Sequence, residues 1–256
     1  MPRPLKELLP LYQEPLLASH RGYGKMGKIP ENTWPAFEES TKLGFLAHEL
    51  DVRRTKDRVA LLFHGPLLEQ VSDGTGRMED KTYEELKRLN FAHYLAYYPR
   101  TPPTTLKEYL QKIPENVLTN IEMKRDFGDF SPGLEEAVVE AIYNTNSQKR
   151  VFISSFNWYS LFRLRKLAGE LARGLLLDRG PFFSIRKILG CLLAKPDLLH
   201  PHYSFLTERT IKKLQKQGYA LVAWTVNDVE KVRWFFQKGV QIVITDNMEL
   251  IKEKLL

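Results

Sequence analysis

Cysteine is nearly absent from this sequence: Cys191 is the only one in 256 residues. A lone thiol closes no intramolecular disulfide, so a packed core has to hold the fold. The same scarcity points to a reducing compartment, and a cytoplasmic location is the expectation. Long apolar runs are also missing. No stretch approaches the ~18 uninterrupted apolar residues of a membrane-spanning helix, and the most apolar late stretch, residues 188–194, is far too short. Residues 1–17 are apolar only in patches, broken by Lys6, Glu7 and Glu14, and no small-residue cleavage site follows. Secretion and membrane spanning are therefore not expected. Low-complexity tracts and internal repeats are lacking. Basic residues are dispersed, with no recognised nucleic-acid motif among them, which argues against a nucleic-acid module.

What is there describes a globular chain. Hydrophobic residues make up 43% and charged ones 27%, with 15 Gly and 15 Pro, values that exclude a disordered chain, a collagen or a coiled-coil rod. The length suits one large domain, and α/β barrels reach this size as single units. Net charge is +7. Such a surplus favours anionic partners such as phosphate esters, nucleic acid or acidic lipid, and is also compatible with a plain solvated basic surface.

Short apolar runs alternate with helical spacing along the chain. Strands are expected over 15–19, 45–52 (continued by 59–63 after a turn), 117–123, 151–155, 174–177, 198–202, 219–226 and 240–245. Helices are expected over 34–43, 83–89, 133–144, 158–167, 207–217, 229–238 and 248–256. Gly44 and Gly239 stand where helix C-termini close, and Asp228 where an N-cap opens one. Eight strands alternating with helices predict a parallel (β/α)₈ barrel, with a doubly wound open sheet as the rival. Residues 65–103 are too long for an ordinary strand–helix loop of about 2–6 residues and read as an insertion after the second strand. Residues 1–256 read as one barrel domain.

In such a barrel the reactive groups sit at the C-terminal strand ends. Glu49 and Asp51 are two apart on a strand and share a face. Alone they would read as strand-end acids salt-bridged to Arg53 and Arg54. Glu122, ending the next strand, makes a three-carboxylate set, and all-oxygen ligands suit Mg²⁺ or Ca²⁺ better than zinc. His20 and His64 end neighbouring strands, and two histidines across a phosphodiester divide proton removal from proton delivery. Arg21 and Lys124 supply the cations that stabilise phosphoryl charge. Trp224 is either a pocket wall or a core residue. His48 alternates to the outer, helix-facing side, and His93 reads as a surface residue.

These residues, in order, resemble the glycerophosphodiester phosphodiesterase family. The resemblance runs through His20-Arg21-Gly22, Pro30-Glu31-Asn32-Thr33, Glu49-Leu50-Asp51-Val52, Thr55-Lys56-Asp57 and His64. It continues through Pro103-Thr104-Thr105-Leu106, Ile121-Glu122-Met123-Lys124, Trp224-Thr225-Val226-Asn227 and Ile244-Thr245-Asp246. It implies a barrel of the phospholipase-C-like phosphodiesterase type. It implies a divalent ion on Glu49, Asp51 and Glu122, an acid/base pair in His20 and His64, and phosphate contacts from Arg21 and Lys124, with Glu31 nearby. The implied reaction releases glycerol 3-phosphate and an alcohol from a small glycerophosphodiester. Two positions depart from the family pattern: Gly65 stands where Asp commonly follows the histidine, and Arg58 where Gly often follows Asp57. A lysophospholipase D or cyclising phospholipase would share this site but need an acyl channel, for which residues 95–98 and 181–183 are the apolar candidates. A non-catalytic phosphoester-binding barrel is the remaining alternative.

Overall fold

The computed structural model describes residues 2–9, 15–23, 28–126, 128–178 and 188–248. The strands are β1 (Leu16–His20), β2 (Ala47–Arg54), β3 (Ala60–Leu62), β4 (Leu118–Met123), β5 (Val151–Ser155), β6 (Ala172–Leu177), β7 (Leu198–Pro201), β8 (Ala220–Ala223) and β9 (Ile242–Thr245). The helices are α1 (Leu5–Leu8), α2 (Trp34–Lys42), α3 (Tyr83–Leu86), α4 (Leu106–Lys112), α5 (Leu134–Asn144), α6 (Trp158–Leu167), α7 (Glu208–Lys216) and α8 (Val229–Gln237). All strands but β3 pair in parallel around the order β1-β9-β8-β7-β6-β5-β4-β2, and β1 pairs back onto β2. The sheet is therefore a closed eight-stranded parallel barrel with helices between strands, and the open-sheet alternative is excluded. β3 is an antiparallel appendage to β2.

Alternation along each strand builds two cores. Leu50, Val52, Ile121, Ile153, Leu175, Leu199, Leu221 and Val243 face outward and bury against the helices. Ala18, Ala47, Leu118, Phe152, Ala172, Leu198, Ala220 and Ile242 fill the barrel interior. Leu9, 1% exposed, joins that interior cluster from the N-terminal segment. Arg3 pins the segment there, bonding both oxygens of Asp197 at 2.9 and 2.7 Å and the carbonyls of Glu170 and Leu171, just ahead of β7 and β6. Among the described residues this segment covers the N-terminal end of the barrel, opposite the C-terminal strand ends.

The expected strands are present, with several boundaries shifted by one to three residues: β2 runs Ala47–Arg54 where 45–52 is expected, and β9 begins at Ile242 where 240 is expected. β6 begins at Ala172, and β8 stops at Ala223, leaving Trp224 to Asn227 in the loop beyond it. Helix α4 was not expected. Its signal is a capping box: Thr105 Oγ1 accepts from Glu108 N–H at 3.1 Å, and Glu108 Oε2 accepts from Thr105 N–H at 2.9 Å. Residues 65–103 hold two 3₁₀ turns and α3 around a small core of Leu61, Phe63, Leu68, Met78, Leu86 and Phe91. The expected helix over 248–256, apart from Met248, and the apolar stretch 181–183 lie outside the described residues. Among the described residues no helix is long and apolar enough to cross a membrane.

Candidate active site

The loop after β1 brings its residues to the mouth through a strained turn. Arg21 and Asn32 both adopt left-handed backbone, at φ 55° and 56°, a conformation uncommon for non-glycine residues and readiest for asparagine. Gly22 has no alternative: φ is 71°, and a Cβ there would sit 2.7 Å from the Ala36 backbone at the start of α2. The turn thus packs against α2 and points Arg21 back over the strand ends.

Glu49, Asp51 and Glu122 each present one carboxylate oxygen within 4.8 Å of the others, and all three are buried. Arg21 Nε lies 3.0 Å from Asp51 Oδ2, an ion-pair distance off the line of a hydrogen bond. Arg21 Nη1 donates to both Glu31 oxygens at 3.1 and 3.2 Å, and Arg21 N–H to Glu49 Oε2 at 3.2 Å. Lys124 Nζ lies 3.1 Å from Asp51 Oδ1 and 2.6 Å from Glu122 Oε1. Asn32 clamps Asp51 twice, through its amide to Oδ2 at 2.9 Å and its carbonyl from the Asp51 N–H at 3.1 Å.

Two cations against three carboxylates leave this mouth short of positive charge. Burial first, then Asp51 and Glu122, pushes the Glu49 carboxyl well above its usual range, against the pull of Arg21 and Lys124. Burial also raises Glu122, with Lys124 opposing and Asp51 adding to the rise. Asp51 goes the other way: burial disfavours its charge, but Lys124, Arg21, His64 and His20 outweigh burial and hold it well below the carboxylate range. Burial likewise opposes the Lys124 ammonium, yet Asp51, Glu122 and Glu49 keep it firmly protonated. Glu49 Oε1, Asp51 Oδ1 and Glu122 Oε1 are buried without an aligned hydrogen bond. Three clustered hard oxygen donors, two of them facing Lys124, fit a divalent cation. Glu31 stands apart, held by Arg21 and, through its N–H, by Tyr94 Oη at 2.9 Å.

His20 lies at this mouth, its side chain 11% exposed, with Nε2 3.8 Å from Glu49 Oε2 and Nδ1 2.6 Å from Asp246 Oδ1. Burial lowers the imidazole pKa; the Asp246 hydrogen bond opposes that. His64 follows β3 and is half-buried. Burial first, with Lys124, Arg21 and His20 adding to it, brings its pKa down to about 3 despite Asp51. Trp224 is half-buried and held in place: its indole N–H donates to the His200 carbonyl at 2.7 Å and its ring meets Phe156 edge-on. His48 faces outward as expected, bonding the Tyr109 hydroxyl at 3.1 Å. Arg53 pairs with Glu79 and Asp126, not with Glu49 or Asp51.

Asp246, Asn32 and Asn227 also stand at this mouth, with no role evident from the sequence pattern alone. Asn227 Nδ2 donates to Asp246 Oδ2 at 3.2 Å and its carbonyl accepts the Asp246 N–H at 2.9 Å. The available signal was position: Asn227 follows β8 and Asp246 directly follows β9.

A closed (β/α)₈ barrel with three buried acids, two cations and two histidines at its C-terminal mouth is the frame of a phosphate-ester hydrolase. The sequence matches the glycerophosphoryl diester phosphodiesterase family over residues 20–250, and the chain belongs to that family of hydrolases. A glycerophosphodiester phosphodiesterase of Caldanaerobacter subterraneus subsp. tengcongensis is 35% identical over 241 residues, covering 92% of this chain and 96% of the relative. A solved Oleispira antarctica phosphodiesterase, in complex with the product sn-glycerol-3-phosphate, is 26% identical. It superposes with a TM-score of 0.78 over 94% of this chain and 96% of that one. A putative glycerophosphoryl diester phosphodiesterase from Silicibacter pomeroyi, 21% identical, shares the fold at a TM-score of 0.82 over 98% and 97% of the two chains.

Proposed function

We propose that this protein hydrolyses small glycerophosphodiesters to sn-glycerol 3-phosphate and an alcohol, with a divalent ion, Mg²⁺ or Ca²⁺, held by Glu49, Asp51 and Glu122. The observation that carries this reading is the set of three buried carboxylates within 4.8 Å of one another, beside two cations and His20 at one mouth. The bound ion would neutralise charge on a phosphoryl oxygen.

The chain's own residues supply the rest. Arg21 and Lys124 hold the phosphate oxygens, and Glu31 fixes the Arg21 fork. His20, backed by Asp246, takes the proton from the neighbouring glycerol hydroxyl as its oxygen bonds phosphorus. The bond to the alcohol breaks, and His64 delivers the proton that the leaving alkoxide needs. Water then opens the cyclic phosphate with the two roles reversed. In the ligand-free site the low pKa of His64 leaves it neutral at pH 7; a phosphodiester anion beside it favours the imidazolium and prepares it as the acid. Trp224 and Phe156 wall the leaving-group side. Residues 1–256 act as one domain in this proposal, residues 65–103 as its insertion, and the cytoplasm as its location.

Phosphorus NMR of the products from glycerophosphocholine tests the reading. Glycerol 3-phosphate supports it; phosphocholine means that a different bond is cut, and intact diester overturns it. Faster turnover of lysophosphatidylcholine than of glycerophosphocholine would replace the small diester by an acylated substrate.

A further inference from the structure

Arg53 lies two residues past Asp51 on β2 and is 5% exposed. Each nitrogen of its guanidinium makes one hydrogen bond. Nε donates to the backbone carbonyl of His64 at 3.1 Å, Nη1 to Glu79 Oε1 at 3.0 Å and Nη2 to Asp126 Oδ1 at 3.0 Å. Arg77 closes the cluster, Nη2 donating to Glu79 Oε2 at 2.8 Å and to Asp126 Oδ2 at 2.5 Å. The three partners come from different segments: the turn after β3, the 3₁₀ turn Met78–Asp80, and the loop two residues beyond Lys124.

His64 needs such a tether. The β2–β3 ladder holds the chain as far as Phe63, whose N–H donates to the Asp51 carbonyl at 3.0 Å. No hydrogen bond from a described residue fixes the His64 ring. The next residue, Gly65, has no side chain to secure the turn, and its place is filled: a Cβ there would fall 1.5 Å from Gln70 Oε1.

We propose that Arg53 is a positioning residue for His64, gripping its carbonyl from a guanidinium whose direction is fixed by Glu79 and Asp126. This inference extends the functional reading above, in which His64 delivers a proton. The planar fork matters, because it sets three hydrogen bonds at fixed angles where a lysine ammonium is a single swivelling point. A histidine displaced by about 1 Å loses as much as ~10²-fold in rate.

The test compares Arg53→Lys and Arg53→Met with wild type, alone and combined with His64→Ala, on glycerophosphocholine. Arg53→Lys is expected to lower kcat by roughly 10- to 100-fold with KM little changed, and to add nothing in the His64→Ala background. An undiminished kcat overturns the inference. So does an equal loss in the His64→Ala background, because Arg53 would then act elsewhere. Should Arg53→Met fail to fold, Arg53→Lys and Glu79→Gln carry the comparison. Imidazole ¹H–¹⁵N spectra give a second readout independent of turnover. Arg53→Lys should shift or broaden the His64 resonances and leave those of His20 in place; unmoved His64 resonances overturn the inference. If wild type cleaves no diester, the functional reading fails and the spectra alone decide this one.

Discussion

His20 Nδ1 lies 2.6 Å from Asp246 Oδ1, across the line where β1 pairs with β9. The residues stand 226 apart in sequence, and barrel closure is what brings them together. A carboxylate on one ring nitrogen fixes the tautomer, orients the other nitrogen towards substrate and stabilises the imidazolium once a proton is taken.

Asp246→Asn should therefore lower kcat by roughly 10- to 100-fold, the usual range for losing an orienting partner behind an active group. The pH dependence has a definite sign. Asp246 raises the His20 pKa against burial, so its neutralisation lets that pKa fall further. A base works unprotonated, and the acidic limb of kcat/KM should move to lower pH. An unshifted limb with undiminished kcat would remove Asp246 from the mechanism.

The Glu49 carboxyl is held well above its usual pKa, by burial first and by Asp51 and Glu122 next. A group of this kind opposes folding as pH rises above its unfolded value, because the folded state resists losing the proton. Glu49→Gln should thus raise the Tm of the metal-free protein at pH 7 by a few degrees, about 1 kcal/mol being worth ~2–4 °C in larger domains. Added Mg²⁺ or Ca²⁺ should raise the wild-type Tm, more at high pH than at low pH, and raise that of Glu49→Gln much less. Differential scanning fluorimetry across metal and pH reads both effects. An equal metal-induced shift in the two proteins would place the ion elsewhere.

His48 and His200, both fully buried, are lowered by burial to about 3. In the unfolded chain they take up protons near pH ~6.5. Their effect on stability is absent above that pH and grows as pH falls towards 3, because only the unfolded state gains the proton. The slope is up to about 1.4 kcal/mol per pH unit for each histidine. Urea unfolding between about pH 7 and pH 5 should show this decline, flattened in His48→Gln and again in His200→Gln. Identical slopes in all three proteins would contradict it.

Arg58 holds the left-handed turn, φ 67°, that glycine adopts freely. That backbone costs a non-glycine residue about 1–2 kcal/mol, and glycine returns about 0.5–1 of it through its looser unfolded state. The surrounding bonds, Arg58 N–H to Thr55 O and Thr55 N–H to Val59 O at 3.0 Å each, are backbone and survive the exchange. Arg58→Gly should stabilise the protein by ~0.5 kcal/mol with activity unchanged, measured by the shift in urea midpoint. A destabilised variant would show that the Arg58 side chain contributes more than its backbone strain takes away.

The barrel was legible because each strand is a short apolar run bounded by turn residues and followed by helical spacing. α4 escaped notice between Pro103 and Pro114, although Thr105 and Glu108 carry its capping signal. The trailing Trp224 to Val226 prolong the strand expected over 219–226 past the last ladder pair of β8, Ala223 with Val243. The acidic site was legible where chemistry follows local spacing: Glu49 and Asp51 share a face, and Glu122 ends the next parallel strand, paired with Asp51. Contacts made by closure were not. Nothing local links His20 to Asp246, and Arg53 sits beside acids in sequence while its fork reaches Glu79 and Asp126 on other segments.

The most direct test of the metal-dependent phosphodiesterase account is glycerol 3-phosphate release by chelator-treated protein, with Mg²⁺ or Ca²⁺ added back, across glycerophosphodiesters of different head groups. The account predicts equimolar glycerol 3-phosphate and alcohol only when a divalent ion is restored, with Glu49→Gln and Asp51→Asn each needing more metal. Release that persists undiminished without the ion, or no release with any ion and head group, would contradict it.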